Sequence, residues 1–450
     1  MAERRLDPAG LLVPLSEPGA ATTSRTGPKA ATLARLRRAG LPVPDGFCVV
    51  ADAYRSHVAA AGGAEAGAQV AGGSDQQAGR LGLGVRLGLL RAPLDPSFAE
   101  CLDTAYRRLS AEPGAPVAVR SSALHEGAAV ISYAGQLETF LGVTGPAELM
   151  TAVRACWASL WSPRAVRYMR AHNVDPARTA VAVLVQRLVQ ARVAGGALST
   201  TPEGRLVLTA AWGLGPAVAQ GEVVPDRYLL RREGPGLECV EPGRKTLMLT
   251  CAVGAPLRWE GVATDRAAAP CLDAAEAVAL ARLVLRAEEA LGRPLEIEWA
   301  LDDEGFQILQ ARPMVVEPRR GGDHPWRDHP GLTGQPAGSG WATGPARVVR
   351  AEAELNRVKL GDVLVTLVPG PALAEVLPRV AGVVAELGGS TSHLAALARE
   401  RGIPAVLGVC DATRRIRDGA LVVVDGDEGV VHPISPHVPG EAGLRTPGED

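Results

Sequence analysis

The chain has 450 residues and a formal net charge of −2, with 47 basic side chains against 49 acidic ones, so it lacks the basic footprint of a nucleic-acid partner. That length predicts two to four domains, and no run of eighteen apolar residues or signal-peptide core marks a membrane span or a leader. Seven cysteines (48, 101, 156, 239, 251, 271 and 410) are odd in number and include no CxxC pair, which argues against a disulfide framework or a zinc site and suits buried thiols in a reducing cytoplasm.

Over the first three hundred or so residues, helical and strand signals alternate in the manner of an α+β nucleotide-binding fold. A helix is expected over 30–38, ended by Gly40, and a Pro-rich turn to Gly46 opens into a strand over 47–50. Residues 57–92, rich in Ala, Gly and Gln, read as loosely specified helices and loops without chemistry. A strand at 117–120 leads into a polar loop through Gly135, followed by an amphipathic helix over 146–160. Further strands are expected over 180–189, 196–199 and 205–211, then a helix over 273–291 and strands over 295–301 and 306–310. Residues 315–343, dense in Pro and Gly, read as a poorly packed interdomain linker. Beyond it, strands at 344–350, 362–366, 405–407 and 421–424 and a helix over 393–401 predict a small α/β domain over 344–436, with 437–450 as a tail.

The segment Gly388 to Leu407 carries the clearest chemistry. Gly388 and Gly389 permit a tight backbone. Ser390, Thr391 and Ser392 are residues that cap a helix start, and Gly402 and Pro404 stop the helix they open. His393 therefore sits at a helix N-terminus, where free N–H groups and the dipole favour phosphate. An imidazole mostly neutral at pH 7 has a lone pair able to accept a phosphoryl group. A lone capping or core histidine is the bland alternative, and the glycine pair with the hydroxyl cluster weighs against it.

This segment resembles the phosphohistidine domain of the family that contains phosphoenolpyruvate synthase, pyruvate phosphate dikinase and rifampicin phosphotransferase, whose members carry GG-x-[ST]-[SC]-H-x-A-x-x-[AS]-R-x-x-G-I-P-A-V. The resemblance implies that His393 is phosphorylated during turnover, with Thr391 and Arg399 beside the phosphoryl group. It also implies an N-terminal ATP-grasp domain followed by a small swivelling phosphohistidine domain.

The remaining motifs follow the same family. Val117 to Ala123 and Ser132 to Gln136 join an arginine at a strand end to a loop of hydroxyls and glycine, a mix that suits phosphate and equally an ordinary loop ion pair. Its likeness to the family's RSSA…S-[FY]-AGQ segment implies that Arg120 is a triphosphate ligand and that Ser132, Ala134 and Gly135 belong to a lid. His125, in the same loop, has no counterpart. Lysine is rare here, with only Lys29, Lys245 and Lys359 among the basic residues, which hints that each occupies a place needing a compact ammonium. Lys29 matches the lysine of the family's GGKG-x-NL motif and is expected on phosphate, although Pro28 replaces a glycine. Gln186 and the backbone near Leu188 resemble the strand over adenine; a buried strand with one satisfied glutamine would look the same. Cys156 to Trp161 with Arg164 is also a family string, its aromatics read as core.

Alternation puts Glu296 and Glu298 on one side of their strand, and the Asp302 to Gly305 turn returns Gln310 and Arg312 beside them. Such a set can hold Mg²⁺ against polyphosphate, or form a solvated hairpin face. The likeness to the family's DIEWA…QARP string implies Glu298 and Gln310 as metal ligands and Arg312 on the phosphates. One departure is Pro216, where the family's WGLGE motif has a carboxylate; Gly221, Pro225 and Asp226 still match.

The resemblance implies an ATP-dependent, dikinase-type phosphotransferase with Mg²⁺ that moves the β-phosphoryl group through His393 to an acceptor, releasing AMP and phosphate. The barrel and antibiotic-binding domains that family members add fit no part of this sequence. The expected acceptor is a small molecule in the interdomain cleft; alternatives are a separate acceptor-bearing protein, as in a split synthase, or a non-catalytic nucleotide-binding regulator. Neither nucleic acid nor membrane is expected as a partner.

Overall fold

The computed structural model describes residues 8–63, 70, 74–110, 112, 114–124, 136–176, 178–251, 254–316, 330–368 and 370–434. The N-terminal part is built on two antiparallel sheets that share one hydrophobic core. The first has five strands in the spatial order Leu12–Pro14, Gly46–Val49, Val181–Arg187, Val117–Ala123 and Thr139–Val143. Its central strand, Val181–Arg187, is buried through Gln186. Helices Thr23–Arg38, Ala51–Ala60 and Gly145–Ser159 pack on this sheet, and Trp157 and Trp161 lie fully in the core between them, as their helix-packing reading requires.

The second sheet has six strands in the order Gly305–Pro313, Leu295–Asp302, Val193–Leu198, Arg205–Trp212, Asp226–Arg231 and Leu237–Glu241. Helix Ala274–Leu291 covers one face, held by an Asp273/Glu276 capping box and stopped by Gly292 in the left-handed region. The hairpin at its edge closes through Asp302, whose side chain accepts from the N–H groups of Glu304 and Gly305 (2.9 and 3.1 Å).

Residues 332–434 form an eight-stranded mixed sheet. Its parallel centre comprises Trp341–Val349, Val363–Thr366, Gly382–Ala385 and Ala405–Leu407, with separate apolar clusters. Helix His393–Arg401 seals one of them with Leu394, Ala395, Leu397 and Ala398. Strand Leu421–Asp425 runs antiparallel and pairs with Val430–Ile434, a strand the hydrophobic pattern did not announce.

Three readings of the sequence change. Residues 57–92 include a seventeen-residue helix, Asp75–Arg91, capped by Ser74 and Gln77; its internal glycines hide a helix that tertiary packing supports. The C-terminal part of the expected linker is not loose: Leu332–Thr333 and Gln335–Gly338 are strands of the eight-stranded sheet. Pro336 is tolerated because it lies on an edge strand, and Gly338 lies where a Cβ would meet the Ile403 carbonyl oxygen at 2.2 Å. Of the cysteines, Cys48, Cys156, Cys251 and Cys271 are buried as expected, but Cys239 and Cys410 are exposed, and all seven are free thiols. No helix among the described residues is long and apolar enough to cross a membrane.

Candidate active site

The two N-terminal sheets and the His393 helix enclose a cavity of about 430 Å³. Into it open Lys29, Arg120, Gln186, Leu188, Glu298, Gln310, Arg312, Thr391 and His393, residues drawn from more than 360 positions of sequence. Ser132, Ala134, Gly135 and His125 lie outside the described residues.

Lys29 is positioned by a break in its helix. Gly27 adopts φ 72°, ψ 166°, a conformation favouring glycine, and a Cβ there would meet Ser122 Oγ at 2.3 Å. The helix proper then begins at Pro28, whose fixed φ suits the first helical position. The proline that departs from the family string therefore starts the helix carrying Lys29, and Lys29 N–H donates to Ser122 Oγ (3.2 Å).

Register fixes the hairpin groups: Glu296 pairs with Arg312 and Glu298 with Gln310. Above them Arg120 Nη1 lies 3.4 Å from Glu298 Oε2, Gln310 Oε1 and the Leu309 carbonyl oxygen. These contacts are long, and Arg120 Nε, though buried, has no hydrogen-bond partner among the described residues. Two side-chain oxygens thus already converge on one cationic position. No described group of three or more His, Cys, Asp or Glu side chains forms a protein cage for a metal; one carboxylate and one amide oxygen fit a Mg²⁺ ion completed by phosphate oxygens and water.

At the other end, Gln186 is buried and its Nε2 finds no partner among the described residues. A buried unmatched donor costs about 1–3 kcal/mol, which a heterocycle nitrogen or carbonyl in the cavity would recover. Leu188 lines the same wall, but its N–H is engaged by the Pro116 carbonyl oxygen (3.1 Å).

His393 is the first residue of its helix, with Ser392 as N-cap accepting from Ala395 N–H (3.4 Å). Burial pulls its pKa below the usual imidazole range; of the charged groups that face it, Glu298 and Glu296 oppose this while Arg312 and Lys29 reinforce it. The histidine is therefore neutral at pH 7. The Thr391 hydroxyl hydrogen-bonds Thr209, and the residue sits over Gly196, where a Cβ would meet its Oγ1 at 2.4 Å. Arg399 donates to the carbonyl oxygens of Ser390 (2.6 Å) and Ala337 (3.2 Å) and to Glu296 Oε2 (3.0 Å). Arg399 does not line the cavity.

The histidine-bearing sheet is docked on the six-stranded one. Gly388 N–H donates to the Val223 carbonyl oxygen (3.1 Å), Gln335 Nε2 to that of Pro225 (2.7 Å), and Arg244 to those of Glu386 (3.1 Å) and Gly408 (3.3 Å). Beneath this contact Lys245 and Asp226 form a fully buried ion pair, with Asp226 also accepting from Gly243 N–H (2.7 Å) and Cys271 N–H (2.8 Å). Three further residues have roles that the sequence reading did not assign. Glu296 joins the two parts, Arg164 brings a half-buried guanidinium to the cavity, and Glu222 adds a carboxylate close to the Pro216 wall. Each had a signal: strand alternation for Glu296, a family string for Arg164, and for Glu222 its place after Gly221 in a motif already noted.

Residues 23–329 match the family model described as pyruvate phosphate dikinase, AMP/ATP-binding domain. The chain belongs to that family. Residues 358–429 match a second model, the mobile domain of PEP-utilising enzymes. Among curated relatives, phosphoenolpyruvate synthase of Aeropyrum pernix is 33% identical over 460 residues, covering 90% of this chain and 56% of that one. A probable phosphoenolpyruvate synthase of Archaeoglobus fulgidus is 33% identical over 421 residues with the same coverage, and the Escherichia coli phosphoenolpyruvate synthase 32% identical over 443, covering 91% and 56%. The chain thus spans little more than half the length of these relatives.

Proposed function

We propose that the chain is an ATP-dependent phosphotransferase of dikinase type, in which His393 carries the β-phosphoryl group of ATP to an acceptor and AMP and phosphate are released. The observation that carries this reading is the convergence of His393 with Lys29, Arg120, Glu298, Gln310 and Arg312 on one cavity. In this reading residues 1–314 are an ATP-grasp domain whose two sheets grip the nucleotide, and the histidine-bearing domain swivels on a connection that the strands at 332–338 shorten to about residues 315–331.

ATP would lie with its base toward Gln186 and Leu188 and its phosphates toward Lys29, Arg120 and Arg312. Glu298 and Gln310 would hold Mg²⁺, which supplies charge neutralisation on the phosphate oxygens. The neutral His393 imidazole would use its lone pair to form a nitrogen–phosphorus bond at the β-phosphorus as the bond to the AMP oxygen breaks and AMP leaves. Water would then cleave the β–γ anhydride, releasing phosphate and leaving the β-phosphoryl group on nitrogen, while the three cations balance the negative charge. Docking the imidazole in the cavity makes this step effectively unimolecular. A small-molecule acceptor is favoured by a second cavity of about 400 Å³ between the domains, lined by Leu198, Val207, Leu229, Ser390 and Arg399 among others.

The test is incubation of the protein and a His393→Ala variant with Mg²⁺ and β- or γ-labelled ATP, following AMP release and acid-labile label on the chain. Label from the β position that is absent in the variant is expected. Absence of both label and AMP with the intact protein would sink the reading.

A further inference from the structure

We propose that Thr209 is a positioning residue for phosphoryl transfer: from within the nucleotide-binding sheet it orients the Thr391 hydroxyl of the histidine-bearing domain, so that the Thr391 proton points at the phosphoryl group on His393. The inference rests on the phosphotransfer reading for its ligand, and it adds a residue that does not itself line the cavity.

One rung of the six-stranded sheet sets the geometry. Gln310 stands opposite Glu298, Glu298 opposite Gly196, and Gly196 opposite Thr209, so the four residues form a row on one face across four strands. Neighbouring strands lie about 4.8 Å apart, which puts Thr209 about 10 Å from Glu298 with the bare backbone of Gly196 between them. Thr391 fills that gap: a Cβ on Gly196 would lie 2.4 Å from both Cβ and Oγ1 of Thr391. The Thr391 hydroxyl bonds Thr209, and Thr391 opens into the cavity shared by Glu298, Gln310 and His393. Thr209 is fully buried.

The donors and acceptors then fall into an order. Gly196 N–H donates to Thr209 Oγ1 (3.2 Å). The Thr209 proton has two acceptors in reach: the Gly196 carbonyl oxygen at 3.4 Å, which already accepts from Trp299 Nε1 (3.0 Å), and the closer Thr391 oxygen. A phosphoryl group only accepts, so once it is present Thr391 turns its single proton to it and takes the Thr209 proton in return. The result is a chain of donors, from Gly196 N–H through two hydroxyls to a phosphoryl oxygen, in which each bond polarises the next. Both protons stay on their oxygens and no bond breaks at either threonine; what Thr209 contributes is a donor aimed in advance at the transferred charge. Without the Thr209 hydroxyl, the Thr391 side chain loses the partner that aims it.

Acid-labile label from β-labelled ATP, followed through a single turnover, reads the proposal. Thr209→Val, close to the parent in shape, is expected to slow labelling by about tenfold, while Thr209→Ser, which keeps the hydroxyl, stays within about threefold of the parent. ATP affinity by titration should change by less than about twofold in both. Hydrogen exchange at Gly388 N–H, which is bonded across the interface, should likewise stay within about twofold. In a Thr391→Val background, Thr209→Val should add less than about twofold, because the two hydroxyls act as one unit. Thr209→Ala takes its place if thermal denaturation shows Thr209→Val to be unfolded. Equal losses in Thr209→Ser and Thr209→Val would overturn the inference, and so would a rise in Gly388 exchange as large as the loss of labelling, which would make Thr209 a docking contact only. Labelling at the parental rate in Thr209→Val would overturn this inference alone, whereas no label on the unaltered protein would overturn the phosphotransfer reading and this inference with it.

Discussion

Gly389 of the loop leading into the His393 helix packs on Pro225 of the nucleotide-binding part, so closely that a Cβ on Gly389 would lie 2.6 Å from Pro225 Cγ. The same methyl would sit 2.6 Å from Gln335 Oε1, the side chain that itself bonds the Pro225 carbonyl oxygen. Gly389→Ala is therefore expected to hinder docking at an overpacking cost of about 1–3 kcal/mol. Labelling of His393 should slow by roughly 5- to 100-fold, while nucleotide affinity measured by titration stays near that of the unaltered protein.

Glu298 and Gln310 present oxygens to one cationic position. Glu298→Gln keeps the shape and removes the charge; the rate of His393 labelling is expected to fall on the order of a hundredfold. Chelating the divalent metal should abolish labelling in both proteins. A Glu298→Gln protein as active as the parent at every Mg²⁺ concentration would remove the residue from the metal site.

The pH dependence follows from the lowered pKa of His393. The attacking form is the neutral imidazole, so labelling should be fully present at and above pH 7 and decline only as pH falls through a value below the ordinary 6.5. Arg312→Gln removes a positive group that reinforces the lowering, and should move that acid limb toward higher pH. Rates measured across the range in both proteins decide the sign.

Gln186→Leu replaces an unmatched buried amide with an apolar side chain. The apoprotein is expected to become as stable or more so, because the unsatisfied donor disappears. Affinity for ATP should fall about tenfold, and preference over GTP should narrow. Equal ATP binding by the two proteins would place the base elsewhere.

Asp226→Asn would strand the fully buried Lys245 ammonium. Removing one member of such a pair typically costs about 3–5 kcal/mol, which chemical denaturation followed by tryptophan fluorescence should register. A loss below about 1 kcal/mol would mean that the ammonium finds another partner.

How much of this was readable in advance depended on how local the determinants were. Helix His393–Arg401 was legible because Ser392 caps it and Gly402 takes the left-handed conformation that ends it. The Glu298 hairpin was legible because alternation and a four-residue turn determine which side chains meet. The helix over 75–91 and the edge strands over 332–338 were not, since their glycines and prolines are bad local signals rescued by distant packing. Within the site, Lys29, Arg120, Arg312, Glu298 and Gln310, each singled out from sequence, line one cavity. Arg399 did not, because its guanidinium is committed to Glu296, a partner 103 residues earlier that no spacing rule connects to it.

Much of the docked interface is written in main-chain atoms: the carbonyl oxygens of Val223, Pro225, Glu386 and Gly408 and the amide of Gly388. Such groups are the same whatever side chains the two surfaces bear. Diverging chains could therefore keep a working mate for the histidine domain while much around it drifts, provided that glycine stays where the backbones touch, Gln335 and Arg244 keep supplying their donors, and the Glu296 and Arg399 charges remain. A histidine domain borrowed from a relative that keeps these few groups should seat on this nucleotide-binding domain, making the two parts exchangeable modules.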